Sequence, residues 1–391
     1  MKFFCLVIIL TKKLLMVGVT IDDARKILID RPLIQKSLYI SSPKFIENLV
    51  DSFHSMLPRV IPHYAVKCND DEILLKTLIK KGVNFDCASG NEIKKVTNLG
   101  AKPEQVIFAH TIKSPDDILF SKDIGINITT FDSTYEVDKL KMYHPECELV
   151  LRIRCDDPNA TISLGSKYGA NHEDIPELLQ YAFDHNMKVV GISFHVGSGS
   201  RNPDAFYKAI KHAKEAFDIS SKIGHDMKIL DIGGGFHADF DEDGELSTCV
   251  TEYINDGLKD FFDSEKIKVI AEPGRFFAEH YSALCVQVIG KRKREGVFEY
   301  FVNDGTYGGF SNCIFEKSIP EPEVVKSSEG DVEFPSVIYG CTCDSVDVIR
   351  DSVVLPELNV DDWVFFGSWG AYTNVLVTQF NGFGKYEKCY I

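Results

Sequence analysis

The 391-residue chain carries 43 Lys and Arg against 58 Asp and Glu, a formal net charge of −15, with 44% hydrophobic and 26% charged residues. This mixture excludes disordered, collagen-like and coiled-coil chains and provides apolar surface for a sizeable core. The excess of acid argues against general nucleic-acid binding, because phosphates would be repelled, and suits a small cationic substrate.

The eleven cysteines are scattered, with no CxxC pair and no His/Cys run at zinc spacing. They read as free thiols of a reducing compartment, the cytoplasm, with no metal centre. Phe3–Leu10 follows Lys2 like the apolar core of a signal peptide. It is short, Lys12 and Lys13 follow it, and no small-x-small cleavage site appears. An extra N-terminal segment, with Met16 as an alternative start, is the other reading. No other stretch is long enough to span a bilayer.

Along the chain, Ser37–Ile40 is strand-like and is expected to pair with a C-terminal β domain. Eight short apolar runs follow: Pro62–Lys67, Asn84–Ser89, Val106–His110, Ile128–Asp132, Leu149–Cys155, Val189–Gly197, Ile229–Phe236 and Lys268–Arg275. The first five repeat every 22 residues or so, room for strand, turn and a three-turn helix. Asp70–Lys81 places Ile73, Leu74, Leu78 and Ile79 on one face behind the N-cap residues Asp70 and Asp71, and Gly90–Leu99 and Ala205–Ile219 read alike. Apolar strands alternating with helices imply a parallel sheet covered on both faces. Their number and spacing favour a (β/α)₈ TIM barrel over an open doubly wound sheet. After about residue 280 the runs Val286–Ile289, Tyr300–Asn303, Val337–Tyr339, Trp363–Phe366 and Asn374–Phe380 predict an antiparallel β-barrel or sandwich, with Gly330–Pro335 as a loop. The division expected is 1–40 as an N-terminal segment, 41–280 as the barrel and 281–391 as the β domain.

Barrel function sits at the C-terminal ends of the strands. Lys67 there is costly unless paired or deprotonated, and desolvation makes its amine a nucleophile toward an aldehyde; a lysine reaching outward to water is the plainer alternative. Gly233–Gly235 after the seventh run let backbone N–H groups approach an anion, and Arg275 after the eighth adds a cation. No GxxxxGK[ST] or GxGxxG is present, which disfavours a nucleotide. Glu272 is placed to hold a pyridine nitrogen protonated, and His195 to stack on an aromatic ring or transfer a proton. Asp86 and Glu92 either hold the lysine or His195, or simply start a helix. Lysine, phosphate cradle, carboxylate and imidazole together specify pyridoxal phosphate.

The stretches HYAVKCN (63–69), FDCASGNEI (85–93), FHVGSGS (194–200), LDIGGGF (230–236), EPGRFF (272–277), NDGTYGGFSNCIF (303–315), CTCDSVDVI (341–349), GAYT (370–373) and FNGF (380–383) resemble the fold-type III pyridoxal-phosphate decarboxylases of the ornithine/arginine/diaminopimelate group, above all the eukaryotic-type ornithine decarboxylases. The resemblance implies that Lys67 bonds the cofactor aldehyde. It also implies that Gly234, Gly235, Gly274, Arg275, Ser198 and Tyr372 hold the phosphate, that Glu272 pairs with the ring nitrogen, that His195 stacks on the ring, and that Asp86, Glu92 and Arg152 support the pocket. Cys343 as proton donor and Asp344 as clamp for the distal cation would enter from the partner of a homodimer with composite sites; Tyr307 and Phe380 would line the substrate pocket. Without the resemblance, 341–344 reads as an ordinary turn. One departure stands out. Where ornithine decarboxylases carry Tyr-Asp, this chain has Phe315-Glu316-Lys317. That motif and the short chain resemble the compact chlorella-virus arginine decarboxylases, and favour arginine, giving agmatine for polyamine synthesis, over ornithine, giving putrescine. Alternatives from other classes are an inactive binding protein of antizyme-inhibitor type and an alanine-racemase-like enzyme; the first would have lost cofactor ligands, the second would need a tyrosine in place of Cys343.

Overall fold

The computed structural model describes residues 18–391 except 31–35, 156, 158–159, 161, 163, 201, 241–245, 248, 264–265 and 327–331. Phe3–Leu10 and Met16 lie outside the described residues, as do the first two residues of the predicted 330–335 loop. The chain divides into two compact units. One takes the described residues from Leu49 to Phe276; the other takes the described residues of Phe277–Ile391 and those up to Asn48.

The strand β1 (Ser37–Ser41) precedes the eight strands of the first unit. These are β2 (Val60–Ala65), β3 (Asn84–Cys87), β4 (Val106–Phe108), β5 (Ile128–Phe131), β6 (Glu148–Arg152), β7 (Lys188–Ser193), β8 (Ile229–Asp231) and β9 (Lys268–Ala271), and they close into a barrel in sequence order, β9 pairing back to β2. All eight predicted runs supply a strand, each strand stopping before its run does. The intervening helices start as their sequences dictate. Asp71 accepts from the backbone N–H groups of Ile73 and Leu74, and Ser89, Ser114 and Ser133 cap the next three helices through Glu92, Asp117 and Glu136. Each such cap contributes about 1 kcal/mol. Inside the barrel, Ile107, Val150, Val190, Ile229 and Ile270 form a buried apolar layer, with Ala109 and Ile128 packed on it. The two-residue period of a strand puts Thr130, Arg152, Asp231 and Glu272 on the same inward face, one layer nearer the C-terminal mouth.

Towards the opposite end, His63 is 3% exposed. Its Nδ1 donates to the Ile61 carbonyl at 3.2 Å and its Nε2 accepts from Asn84 at 3.4 Å. Burial, reinforced by the Lys268 ammonium, pushes this imidazole from 6.5 down to about 3. A pKa depressed by folding contributes stability that is complete above the unfolded value and is lost as pH falls toward the folded one. The melting temperature should therefore fall as pH is lowered from 6.5 toward 4, and His63→Gln should flatten that slope. Parallel slopes in the two proteins would contradict the assignment.

The second unit is built on β10 (Ser282–Arg294), β11 (Val297–Val302), β12 (Pro322–Val324), β13 (Glu333–Tyr339), β14 (Val348–Pro356), β15 (Trp363–Phe366) and β16 (Tyr386–Tyr390). The sheet order is β12-β15-β10-β11-β13-β14, with β1 paired to both β10 and β16. The early strand-like piece does pair with the C-terminal strands, as expected. The sheet is mixed rather than purely antiparallel. β11 runs parallel to β13 because the long connection 303–332 returns the chain to the same end, and β1 runs parallel to β16. Glu333–Pro335 belongs to β13, not to a loop. Asn374–Phe380 is not a strand either. It carries 3₁₀ turns at Asn374–Leu376 and Phe380–Gly382, and its Thr378 N–H is bonded to the Tyr307 carbonyl at 2.9 Å instead of to a neighbouring strand. Tyr372 and Asn381 on either side have positive φ, +54° and +52°, which an extended strand cannot accommodate. Among the described residues no helix is long and apolar enough to cross a membrane.

Candidate active site

At the mouth of the barrel, Lys67 lies in the short turn Val66–Cys68, just past the end of β2. Its Nζ forms an ion pair with Asp86 Oδ2 from the end of β3. Asp86 is fully buried, whereas the lysine side chain is 43% exposed, so the carboxylate anchors an amine that still faces the opening. The other oxygen, Asp86 Oδ1, is buried with no hydrogen-bond partner among the described residues. Glu92 does not hold the lysine. It reaches back from its helix to accept from the Ala88 N–H at 2.6 Å, and burial, with Asp86 nearby, raises its pKa.

His195 follows β7. Its Nδ1 accepts from the Gly197 N–H at 3.0 Å, so neither Asp86 nor Glu92 orients it. Burial first, then the charges of Arg152 and Lys67, holds this imidazole well below its usual pKa, leaving it neutral. A neutral ring suits stacking on an aromatic group better than proton donation. Arg152, ending β6, lies over the Tyr168 ring at 5.2 Å.

The glycine run after β8 leaves no room for side chains. A Cβ on Gly234 would stand 2.8 Å from the Glu272 carbonyl and 2.9 Å from His195 Nε2; one on Gly235 would stand 2.7 Å from the Gly197 carbonyl, at a backbone φ of +102°. Gly274 is tight, with a Cβ there 3.0 Å from Cys68 Cβ and 3.3 Å from Ala65 Cβ. Ser198 is fixed through its backbone, which exchanges hydrogen bonds with Ile162 at 3.0 and 3.1 Å. Arg275 opens the short helix Arg275–Ala278. Glu272 extends the pairing of β9 by donating its N–H to the Gly233 carbonyl at 2.7 Å. Its carboxyl faces that of Asp231, and burial, together with this neighbour, raises its pKa well above the usual carboxylate range.

The barrel mouth thus brings together Lys67, Asp86, Arg152, His195, Ser198, Gly234, Gly235, Glu272, Gly274 and Arg275. They fit pyridoxal phosphate: an amine for the aldehyde, a glycine cradle with Arg275 for the phosphate, a buried carboxyl for the ring nitrogen and an unpartnered carboxylate oxygen at Asp86. Asp231 belongs to the same layer although no role was expected of it. The signal was available, since an Asp two residues before a run of three glycines, at the end of an apolar strand, must point where the strand's other inward residues point.

The second unit carries its own cluster. The Tyr307 hydroxyl donates to Asp344 Oδ2, and the Val346 N–H donates to Asp344 Oδ1 at 3.1 Å. The Tyr307 bond holds the Asp344 carboxyl below its ordinary pKa, as an anion. Phe380 packs on Tyr307 with ring centroids 4.5 Å apart. Cys343 is exposed, and its N–H donates to Asn381 at 3.0 Å. The turn is framed by Asp347, which accepts from the N–H and hydroxyl of both Thr306 and Thr342 at 2.7–3.0 Å. Asp347 and Asn381 were not foreseen, because their work is to tie together loops distant in sequence. Glu316 caps the C-terminus of the short helix Asn312–Phe315, and Tyr372 lies in the positive-φ turn noted above.

Residues 44–279 match the family model described as pyridoxal-dependent decarboxylase, pyridoxal binding domain. The chain is 40% identical over 360 residues to a chloroplastic ornithine decarboxylase of Nicotiana glauca, covering 89% of this chain and 82% of that one. It is 42% identical over 342 residues to the ornithine decarboxylase of Schizosaccharomyces pombe, covering 85% and 78%. Among solved structures it is similar to the Paramecium bursaria Chlorella virus arginine decarboxylase bound to agmatine, with 59% identity, a TM-score of 0.94 and coverage of 95% and 100%. It is also similar to the lysine/ornithine decarboxylase of Vibrio vulnificus complexed with putrescine, with 30% identity, a TM-score of 0.85 and coverage of 95% and 99%. With the matched domain spanning the barrel and the motif residues gathered at its mouth, the chain belongs to the fold-type III, pyridoxal-phosphate-dependent decarboxylases.

Proposed function

We propose that the protein decarboxylates basic L-amino acids, with L-arginine as the preferred substrate and agmatine as product, and that it works as a cytoplasmic homodimer whose sites combine both subunits. The observation that carries the class is Lys67, anchored by buried Asp86 beside the glycine cradle and Glu272.

When bound, pyridoxal phosphate supplies an aldehyde for amines and a protonated ring that accepts the electron pair left as the bond from Cα to the carboxylate breaks. Lys67 would hold the aldehyde carbon, with Asp86 keeping its amine aligned. Gly234, Gly235, Gly274, Arg275 and Ser198 would bind the phosphate. Glu272 would pair with the ring nitrogen, and neutral His195 would cover one ring face. From the partner subunit, the Cys343 thiol returns a proton to Cα, and the Asp344 carboxylate, preset by Tyr307, holds the distal cation of the substrate. Tyr307 and Phe380 form the apolar wall along its methylene chain.

Glu316 supports arginine over ornithine. Its carboxylate stands one methylene further along than an aspartate would, and a guanidinium donates two parallel hydrogen bonds to a carboxylate where an ammonium donates one. The similar arginine decarboxylase was solved with agmatine, which fits the same preference. Glu316→Asp should shift the kcat/KM ratio of arginine to ornithine toward ornithine by about tenfold. An unchanged ratio would remove Glu316 as the selector.

A further inference from the structure

We propose that Lys113 is a positioning residue: its ammonium clamps the ends of β4 and β5 at the barrel mouth and, through the Tyr168–Gly169 turn, holds Arg152 in place for the cofactor. The proposal rests on the reading of Arg152 as part of the pyridoxal phosphate pocket.

The clamp sits where the barrel ladder is shortest. β4 and β5 share a single register pair, Phe108 with Thr129, whereas every other seam has three or more. Lys113 stands in the loop after β4, and its side chain is 0% exposed. Its Nζ donates to the His110 carbonyl at 2.8 Å, just beyond β4, and to the Thr130 carbonyl at 2.7 Å, within β5. It also pairs at 2.9 Å with Oε1 of Glu136, a buried residue of the helix Thr134–Tyr143. An ammonium has three donors, and these three acceptors use all of them. Burial of a lysine is tolerable when its charge is paired and its donors are bonded, and both conditions hold here. The two carbonyl bonds join the strands at the point where their own ladder gives out.

Both arms of the clamp lead to one turn. The His110 ring meets the Tyr168 ring edge-on, with centroids 5.7 Å apart. Two residues beyond Thr130, the Asp132 carboxylate accepts from the Gly169 N–H at 2.9 Å. Tyr168 supports the Arg152 guanidinium, which lies 5.2 Å from its ring centroid, and the Ala170 N–H donates to the Arg152 carbonyl at 2.9 Å. The turn fits closely: a Cβ on Gly169 would stand 3.0 Å from the Arg154 nitrogen, at a backbone φ of +97°. Spreading the seam between β4 and β5 therefore shifts the platform on which Arg152 rests. Lys139 provides the contrast. It pairs with the other Glu136 oxygen at 2.6 Å and, among the described residues, bonds to neither strand carbonyl.

The test is a double-mutant cycle on cofactor affinity. Lys113→Met alone would strand the buried Glu136 charge, so it is combined with Glu136→Leu, which removes both ends of the pair. Apo-protein is titrated with pyridoxal phosphate by absorbance and fluorescence, with thermal melts to confirm folding. The Lys113→Met/Glu136→Leu protein and Tyr168→Ala should each raise the Kd about tenfold. Because both act through Arg152, the protein carrying all three changes should stay within about twofold of the weaker binder of the two. Lys139→Met should bind like wild type. His110→Ala disturbs no buried charge and runs the same cycle should the clamp variant not fold; it too should raise the Kd and be non-additive with Tyr168→Ala. Losses that multiply to about a hundredfold would mean that the clamp and Tyr168 act independently. Wild-type affinity in the folded clamp variant or in His110→Ala would mean that the clamp positions nothing. Either result overturns the proposal. Arg152→Ala tests the underlying reading separately: if it leaves the Kd unchanged, Arg152 is not part of the cofactor pocket.

Discussion

Replacing Lys67 by alanine should remove the visible absorbance that pyridoxal phosphate gives the purified protein and lower decarboxylation by more than about 10³-fold. Two effects combine. The amine that bonds the aldehyde is lost, and Asp86 is left buried at the barrel mouth without its cation. Lys67→Arg separates them. Arginine restores the charge beside Asp86, and so the fold, but cannot form the covalent bond at neutral pH. A folded Arg variant that is colourless and inactive supports the assignment; a variant that keeps both colour and rate would place the covalent link on another residue.

The second large effect is expected at Asp344. Its carboxylate is preset by Tyr307 and the Val346 N–H, and it is kept ionised. Asp344→Asn keeps the shape and removes the charge, so kcat/KM for arginine should fall about a hundredfold, mostly through KM, because a cation would be desolvated without a counter-charge. The same residue tests the composite site. Asp344→Asn and Lys67→Ala subunits are each nearly inactive alone. After mixing and re-association, half of the dimers are mixed, and each of these has one complete site. Roughly a quarter of wild-type activity should therefore return. No recovery despite subunit exchange would mean that both residues serve the same subunit.

The barrel was legible because its strands are short, apolar and evenly spaced, and because Asp71, Ser89, Ser114 and Ser133 stand where helices must begin. The candidate site followed from it: once strand ends are known, Lys67, His195, the glycines and Glu272 are among the residues at the mouth. What each carboxylate touches was less legible. Glu92 turns to its own helix entrance rather than to Lys67 or His195, a choice of rotamer that no spacing encodes. Asp231 passed unnoticed because its effect on the buried carboxyl of Glu272 depends on a neighbouring strand that its own sequence context does not reveal. In the second unit, the β11–β13 pairing and the turns over 374–382 depend on long loops, and Tyr372 and Asn381 take positive φ without the glycine that would announce it. Cys343 and Asp344 stand out only through the family resemblance, not through their spacing.

Carboxyl-labelled L-arginine, L-ornithine and L-lysine, incubated side by side with the purified protein and pyridoxal phosphate, measure the central claim directly through labelled CO₂. Release from arginine at the highest kcat/KM, with ornithine next, is the predicted outcome. A correctly folded protein that binds the cofactor yet releases CO₂ from none of the three would contradict it.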